Sequence, residues 1–296
     1  MQDSSLITVG LPIALAIIMF GLGLSLRVAD FARVVRSPRA VAGALVLQIL
    51  ILPAVAFGLV LAFDLPPLLA VGVMLLAASP GGTTANLFSH LFRGDVALNI
   101  TLTAINSVLA AFTIPLITNL AISYFDSDGE LGLQFGKVLQ VIAIVLVPVV
   151  LGMIVRAKSA EFAKRADKPV RIFSIAVLAI VAIGAIIGEA DNIADYARQV
   201  GWVTGLFCLI SLSSGYLLAR ALRLAKPQAI ATSMEIGIHN TTIALTIAIS
   251  VLDSAMIAIP AAVYSILMYI IAPIFGWAVS RNGGPKVVDE RVDLKA

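Results

Sequence analysis

The chain has 296 residues, 60% of them hydrophobic and 12% charged, with a mean hydropathy of +1.04 and a formal net charge of +3. Soluble domains carry about 25% charged residues, so this composition excludes an ordinary soluble domain. A lone cysteine, Cys208, leaves no disulfide framework and no cysteine metal pattern.

Apolar runs long enough to cross a hydrocarbon core of about 30 Å recur from end to end. Long continuous runs, rather than short alternating ones, choose helices over a barrel, and the fold class is an all-α membrane protein. The first run, "LITVGLPIALAIIMFGLGLSL", lacks a basic leading region and a small-x-small cleavage site, so it is a spanning helix over 6–26 rather than a signal peptide. The second, 40–63, carries Gln48 in "LVLQILILP". The third, 67–92, is interrupted at its centre by Ser79-Pro80-Gly81-Gly82-Thr83-Thr84. Proline removes a backbone donor and glycine lowers helix propensity, so this span is expected to break at mid-depth.

The fourth span, 95–124, contains "NITLTAINS", in which Asn99, Thr103 and Asn106 follow i, i+4, i+7 spacing and share one face. Spans at 134–156, 170–188 and 200–222 follow, the last holding Cys208 as a small buried hydrophobe. The eighth, 227–252, has the polar centre "EIGIHNTT", and the ninth is 255–280, leaving a cytoplasmic tail at 281–296.

Charge sorts cleanly on these nine spans. Of the 20 basic residues, only Lys137 and Arg198 fall on the second side, which instead receives the acidic loops Asp126–Glu130 and Glu189–Asp195. The positive-inside rule then puts the N-terminus outside and the C-terminus in the cytoplasm of a multi-pass protein of the cell (inner) membrane. With its basic residues between spans, the chain gives no sign of a nucleic-acid partner. Its partners are the lipid bilayer and whatever it moves.

Of the 17 acidic residues, Glu235 alone has no route to an interface. Inserting a charge at a helix centre costs about 2.5–3.5 kcal/mol, so the default reading of such a residue is functional. A Pro-Gly-Gly kink alone is more often packing. Paired with a buried carboxylate in an oppositely directed span, it points to an inverted-repeat secondary transporter. Glu235 with neutral oxygens from Gln48, Asn86, Asn99, Thr101, Thr103 and Asn106 suits a hard monovalent cation, sodium, without the second acid of magnesium or calcium sites. Half-helix N-termini would face an anionic substrate group. His90 falls at a span end and His239 has no nucleophile or metal partner in the sequence, so an intramembrane enzyme is the weaker reading. The same residues leave room for a sensor that binds without transporting, and for a proton-coupled or exporting carrier using Glu235 and His239.

At "IIMFGLGLSL", "LQILILP", "SPGGTTANLFSHLFRGDVALNITLT" and "MEIGIHN" the sequence resembles the bile acid:sodium symporter family, over most of the chain and in the family's order. The resemblance implies a core domain (about 40–124 and 200–280) holding two crossing discontinuous helices, and a panel domain (about 6–26, 134–156 and 170–188) that moves against it. It implies import of a small organic anion, bile-acid-like or a small carboxylate, with one or two sodium ions. A first ion would take Asn86, Asn99, Thr103 and Glu235; a second would take Gln48, Glu235 and the carbonyls of Ile236 and Ile238. Thr83, Thr84, Asn240 and Thr241 would lie on the substrate side. Two positions depart from the family pattern: Ala85 stands for a serine of the first ion site and His239 for a glutamine of the second. The histidine would offer nitrogen where sodium prefers oxygen, or make coupling sensitive to pH.

Overall fold

A computed structural model describes residues 33–125, 135–166 and 193–281, with scattered positions between 13 and 30 and between 169 and 176. Most of the expected spans at 6–26 and 170–188, the loop 126–130 and the tail beyond Arg281 lie outside the described residues. The described residues are helical throughout, with no strand.

The helices follow the apolar runs. Helix α1 (Pro38–Ala62) leads to α2 (Pro67–Ala78) and α3 (Thr83–Leu91), then α4 (Val96–Phe125) and α5 (Phe135–Lys158). The second half holds α6 (Ile193–Ala221), α7 (Lys226–Gly237), α8 (Thr241–Ser250) and α9 (Ala255–Ser280). Four of these, α1, α4, α9 and the 198–221 portion of α6, are long and apolar enough to cross a membrane.

The interrupted spans behave differently. At about 1.5 Å per residue, α2 with 12 residues and α3 with 9 reach only about 18 and 14 Å, short of a 30 Å core. Helices α7 and α8, with 12 and 10 residues, are equally short. None of the four is long enough to cross a membrane alone, and each break is buried inside the protein. Pro80 and the extended backbone at Ser79 and Gly82 end α2 and start α3. Gly237 ends α7 where a Cβ would strike the Leu212 side chain of α6.

The two breaks meet. Gly81 and His239 form an isolated antiparallel bridge, and the Asn240 N–H donates to the Pro80 carbonyl at 2.7 Å. Helix α6 packs along α7 and α9, α9 covers α2 and α8, and α2 lies on α4. This encloses α2 and α7 so fully that Leu69–Ala78 and Ala229–Gly237 are buried almost without exception.

The turns flanking the broken pairs repeat. Asp64 precedes α2 and Arg93 follows α3; Arg223 precedes α7 and Asp253 follows α8; these four are the non-glycine residues with positive φ among those described. Such left-handed residues close helix C-termini. After three of them the next N–H reaches back five residues, Leu65 to Val60, Gly94 to Ser89 and Leu224 to Ala219.

Outside this body, the chain at Phe20–Leu24 touches α5 backbone to backbone. A Cβ on Gly23 or Gly152 would run into the other helix's main chain, and Arg156 Nη1 donates to the Leu24 carbonyl at 2.7 Å.

Candidate functional site

Glu235 sits in the last turn of α7, fully buried. The helical period of α4 turns Asn99, Thr103 and Asn106 toward it. Asn99 Nδ2 and Thr103 Oγ1 donate to Glu235 Oε2 at 2.8 and 2.5 Å, and Asn106 Nδ2 donates to Oε1 at 3.1 Å. The backbone of Gly81, at the other break, lies against the same carboxylate. A Cβ on Gly81 would overlap the Glu235 carboxyl group. Glycine is required there because the backbone lies against the charge, which a larger residue would hold off.

The carbonyls freed by the first break are held as well. Gln48 Nε2 donates to the Ala77 and Ser79 carbonyls at 3.2 and 3.1 Å. His239 Nδ1 contacts the same Ser79 carbonyl at 2.8 Å. A carbonyl only accepts, so Nδ1 carries the proton. The imidazole stacks on Phe207 at 5.3 Å and meets Tyr264 edge-on at 5.4 Å. At the second break, Tyr264 Oη and Cys208 Sγ both donate to the Gly237 carbonyl, at 2.8 and 3.9 Å.

Several buried polar atoms here have no hydrogen-bond partner: Gln48 Oε1, Asn86 Oδ1, Asn99 Oδ1, Asn106 Oδ1 and His239 Nε2. An unsatisfied buried acceptor costs about 1–3 kcal/mol, and a hard cation is a partner for such oxygens. One carboxylate surrounded by neutral amide and hydroxyl oxygens is a donor set that fits sodium.

Asn99, Thr103 and Glu235 thus stand in direct contact, with Gln48 and His239 gathered at the first break. The backbones of Ile236 and Ile238 flank Glu235 and the end of α7, both residues buried. Toward the helix N-termini, Thr83 opens α3, Thr84 Oγ1 lies 3.4 Å from Tyr269 Oη, Asn240 Oδ1 caps α8 by accepting from the Ile243 N–H, and Thr241 begins α8. His90 is exposed at the end of α3, away from this constellation. The sequence marks Asn106 as an oxygen donor on the same face of α4 as Asn99 and Thr103, but the family resemblance does not place it among the ion ligands. Tyr264 and the Gly237 carbonyl are visible only in the structure, since a tyrosine and a cysteine in apolar runs carry no local signal.

Comparison with known proteins gives the family. Residues 12–196 match the sodium bile acid symporter family. The uncharacterized sodium-dependent transporter YocS of Bacillus subtilis (strain 168) is 34% identical over 260 residues, covering 86% of this chain and 78% of the relative. The chain belongs to the sodium bile acid symporter family. A probable sodium/metabolite cotransporter of Arabidopsis thaliana chloroplasts, BASS1, is 28% identical over 94% of this chain and 68% of its own length. The human ileal sodium/bile acid cotransporter is 29% identical over 80% of this chain and 68% of its own. Membership makes this a sodium-dependent membrane transporter rather than an enzyme. Within the family frame, the Pro80-Gly81-Gly82 break falls inside the matched range, while Glu235 lies beyond it.

Proposed function

We propose that the protein is a symporter that uses sodium to import an organic anion by alternating access. The observation that supports this most is Glu235: a fully buried carboxylate held between α4 and the crossing breaks, with unpartnered oxygens on Asn99 beside it, on Gln48 at the first break and on Asn86 of α3. One sodium ion would take Glu235, Asn86, Asn99 and Thr103. A second would take Glu235, Gln48 and the carbonyls of Ile236 and Ile238, with His239 able to add only its Nε2. Each sodium moving inward gains about 2.3 kcal/mol per 100 mV of membrane potential. Because Glu235 is common to both sites, ion occupancy would tie α7 to α4 and fix the crossover.

The substrate would meet Thr83, Thr84, Asn240 and Thr241, where the N-termini of α3 and α8 present amides and positive dipole ends to an anionic group. The relatives' names, sodium/metabolite and sodium/bile acid cotransporter, supply the class: an organic acid, bile-acid-like or a small carboxylate.

We read the chain as nine spans with an inverted repeat. The matched left-handed turns support this, since acidic Asp64 and Asp253 occupy the ends that the charge bias assigns to the outside, and Arg93 and Arg223 those it assigns to the cytoplasm. The core would be 40–124 and 200–280, with the panel of 6–26, 134–156 and 170–188 moving against it. The N-terminus would lie outside an inner membrane. Tight backbone contact at Gly23 and Gly152 suits a panel that moves as one piece.

The test is accumulation of organic acids in sealed vesicles, chosen from a panel by thermal stabilisation with and without sodium. Accumulation that follows an imposed sodium gradient is expected. Accumulation following only a pH gradient would instead favour proton coupling through Glu235 and His239, a route for which the unpartnered His239 Nε2 is the one supporting observation.

A further inference from the structure

A symporter that accumulates its substrate has to complete its cycle by returning without sodium. On the reading of Glu235 as the coupling carboxylate, that return carries a negative charge through the protein interior, where an unpaired ion is costly. Something must hold the charge when sodium does not. A carboxylate offers about four lone-pair positions, and three side-chain donors serve those of Glu235: Asn99 Nδ2, Thr103 Oγ1 and Asn106 Nδ2. Both carboxylate oxygens therefore already accept from N–H or O–H groups, and an arriving cation competes with them.

These donors are not equivalent. Asn99 and Thr103 both serve Oε2 and belong to the set proposed to bind sodium. Asn106 is the one side chain that donates to Oε1 among the described residues, and at 3.1 Å it makes the longest of the three side-chain bonds. It lies two turns from Asn99, is itself buried, and keeps an unpartnered carboxamide oxygen. It is the donor best placed to yield.

We propose that Asn106 is the residue of the sodium-free return: its N–H holds Glu235 Oε1 while the carrier is empty of sodium and releases it when sodium arrives. Asn106 thus opposes sodium binding, and removing its donor tightens sodium rather than weakening it. This is the reverse of what loss of an ordinary ligand does.

The experiment is Asn106→Leu, close in shape but without donor or acceptor, compared with wild type in detergent. Thermal unfolding is followed in choline chloride and across a sodium chloride titration at constant ionic strength, in alkaline buffer so that protons do not compete. Because a hydrogen bond to a charged group is worth about one to two tenfold steps, sodium half-saturation is expected to fall by about tenfold or more. The variant should melt below wild type in choline and close that gap in saturating sodium, as linkage requires. Weaker or unchanged sodium affinity, or a melting deficit equal in both salts, overturns the proposal. If the leucine variant does not fold, Asn106→Ala is read the same way, since a packing defect lowers both melting points alike. A wild type that sodium does not stabilise at all refutes the coupling reading instead; a stabilised wild type with an indifferent Asn106 variant refutes only this inference.

Discussion

The two breaks in the middle of the protein are built from opposite materials. The first, between α2 and α3, is made by Pro80, Gly81 and Gly82 and contributes almost nothing but backbone: the carbonyls of Ala77, Ser79 and Pro80 and the close approach of Gly81. The second, between α7 and α8, contributes side chains: Glu235, His239 and Asn240. One supplies room and dipoles, the other charge. Each also holds the other, since His239 bonds the Ser79 carbonyl and the Asn240 N–H bonds the Pro80 carbonyl, while the Gly81 backbone lies against Glu235. The lesson is that the crossover works as one unit, and that a defect in either break should be felt at the shared carboxylate.

The largest expected effect comes from emptying the charged side. Glu235→Ala should abolish sodium-driven uptake in vesicles while the protein still inserts and runs as a single species in detergent; full sodium-driven uptake would break the scheme. Next is the side that supplies room. Gly81→Ala puts a methyl group into the Glu235 carboxyl, an overpacking worth about 1–3 kcal/mol, and should lower both melting temperature and sodium affinity. Gly82→Ala is the control, because its Cβ would sit 3.6 Å from Asn240 and its φ of −132° suits any residue. Equal damage from the two alanines would mean that the close approach at Gly81 does not matter.

Smaller effects test the clasp on the first break. Gln48→Leu and His239→Phe each remove an N–H from the Ser79 carbonyl, and each should cost about 1–3 kcal/mol of stability. Their shared acceptor makes them neighbours, so the double variant should depart from additivity; a strictly additive pair in thermal unfolding would separate them. Smallest is Tyr264→Phe, about 0.5–1.5 kcal/mol, because the Cys208 thiol still donates to the Gly237 carbonyl. A larger loss would mean that the tyrosine holds more of the second break than its one bond.

Much of this is legible in the sequence, for identifiable reasons. Proline and paired glycine are local breakers, so the first interruption needs no tertiary information. The helical period alone brings Asn99, Thr103 and Asn106 onto one face of α4. What stays hidden depends on distant chain segments meeting. Gln48 reaches carbonyls about 30 residues away, and nothing near it in the chain says so. The division of the Glu235 oxygens, two side chains on one and Asn106 on the other, is fixed by the depth at which α7 lies against α4. Cys208 reads as a small hydrophobe, and it is buried as one, but its thiol also reaches a backbone carbonyl exposed by the break.

Helix α1 contains one wide turn at Leu47–Ile51, where the Leu52 N–H reaches back five residues to the Leu47 carbonyl. Such a turn holds one residue more than a regular α-helix would. Leu47 and Gln48 both face inward there, while Leu50 and Ile51 face out. Excising a single residue from that turn would let the helix run regular, but would rotate everything on one side of it by about 100° relative to the other. Either the glutamine or the apolar seam would then be out of phase with its neighbours. A one-residue length difference at this point of α1 is thus a change of angular setting, and a shortened chain would have to find another way to satisfy the carbonyls of Ala77 and Ser79.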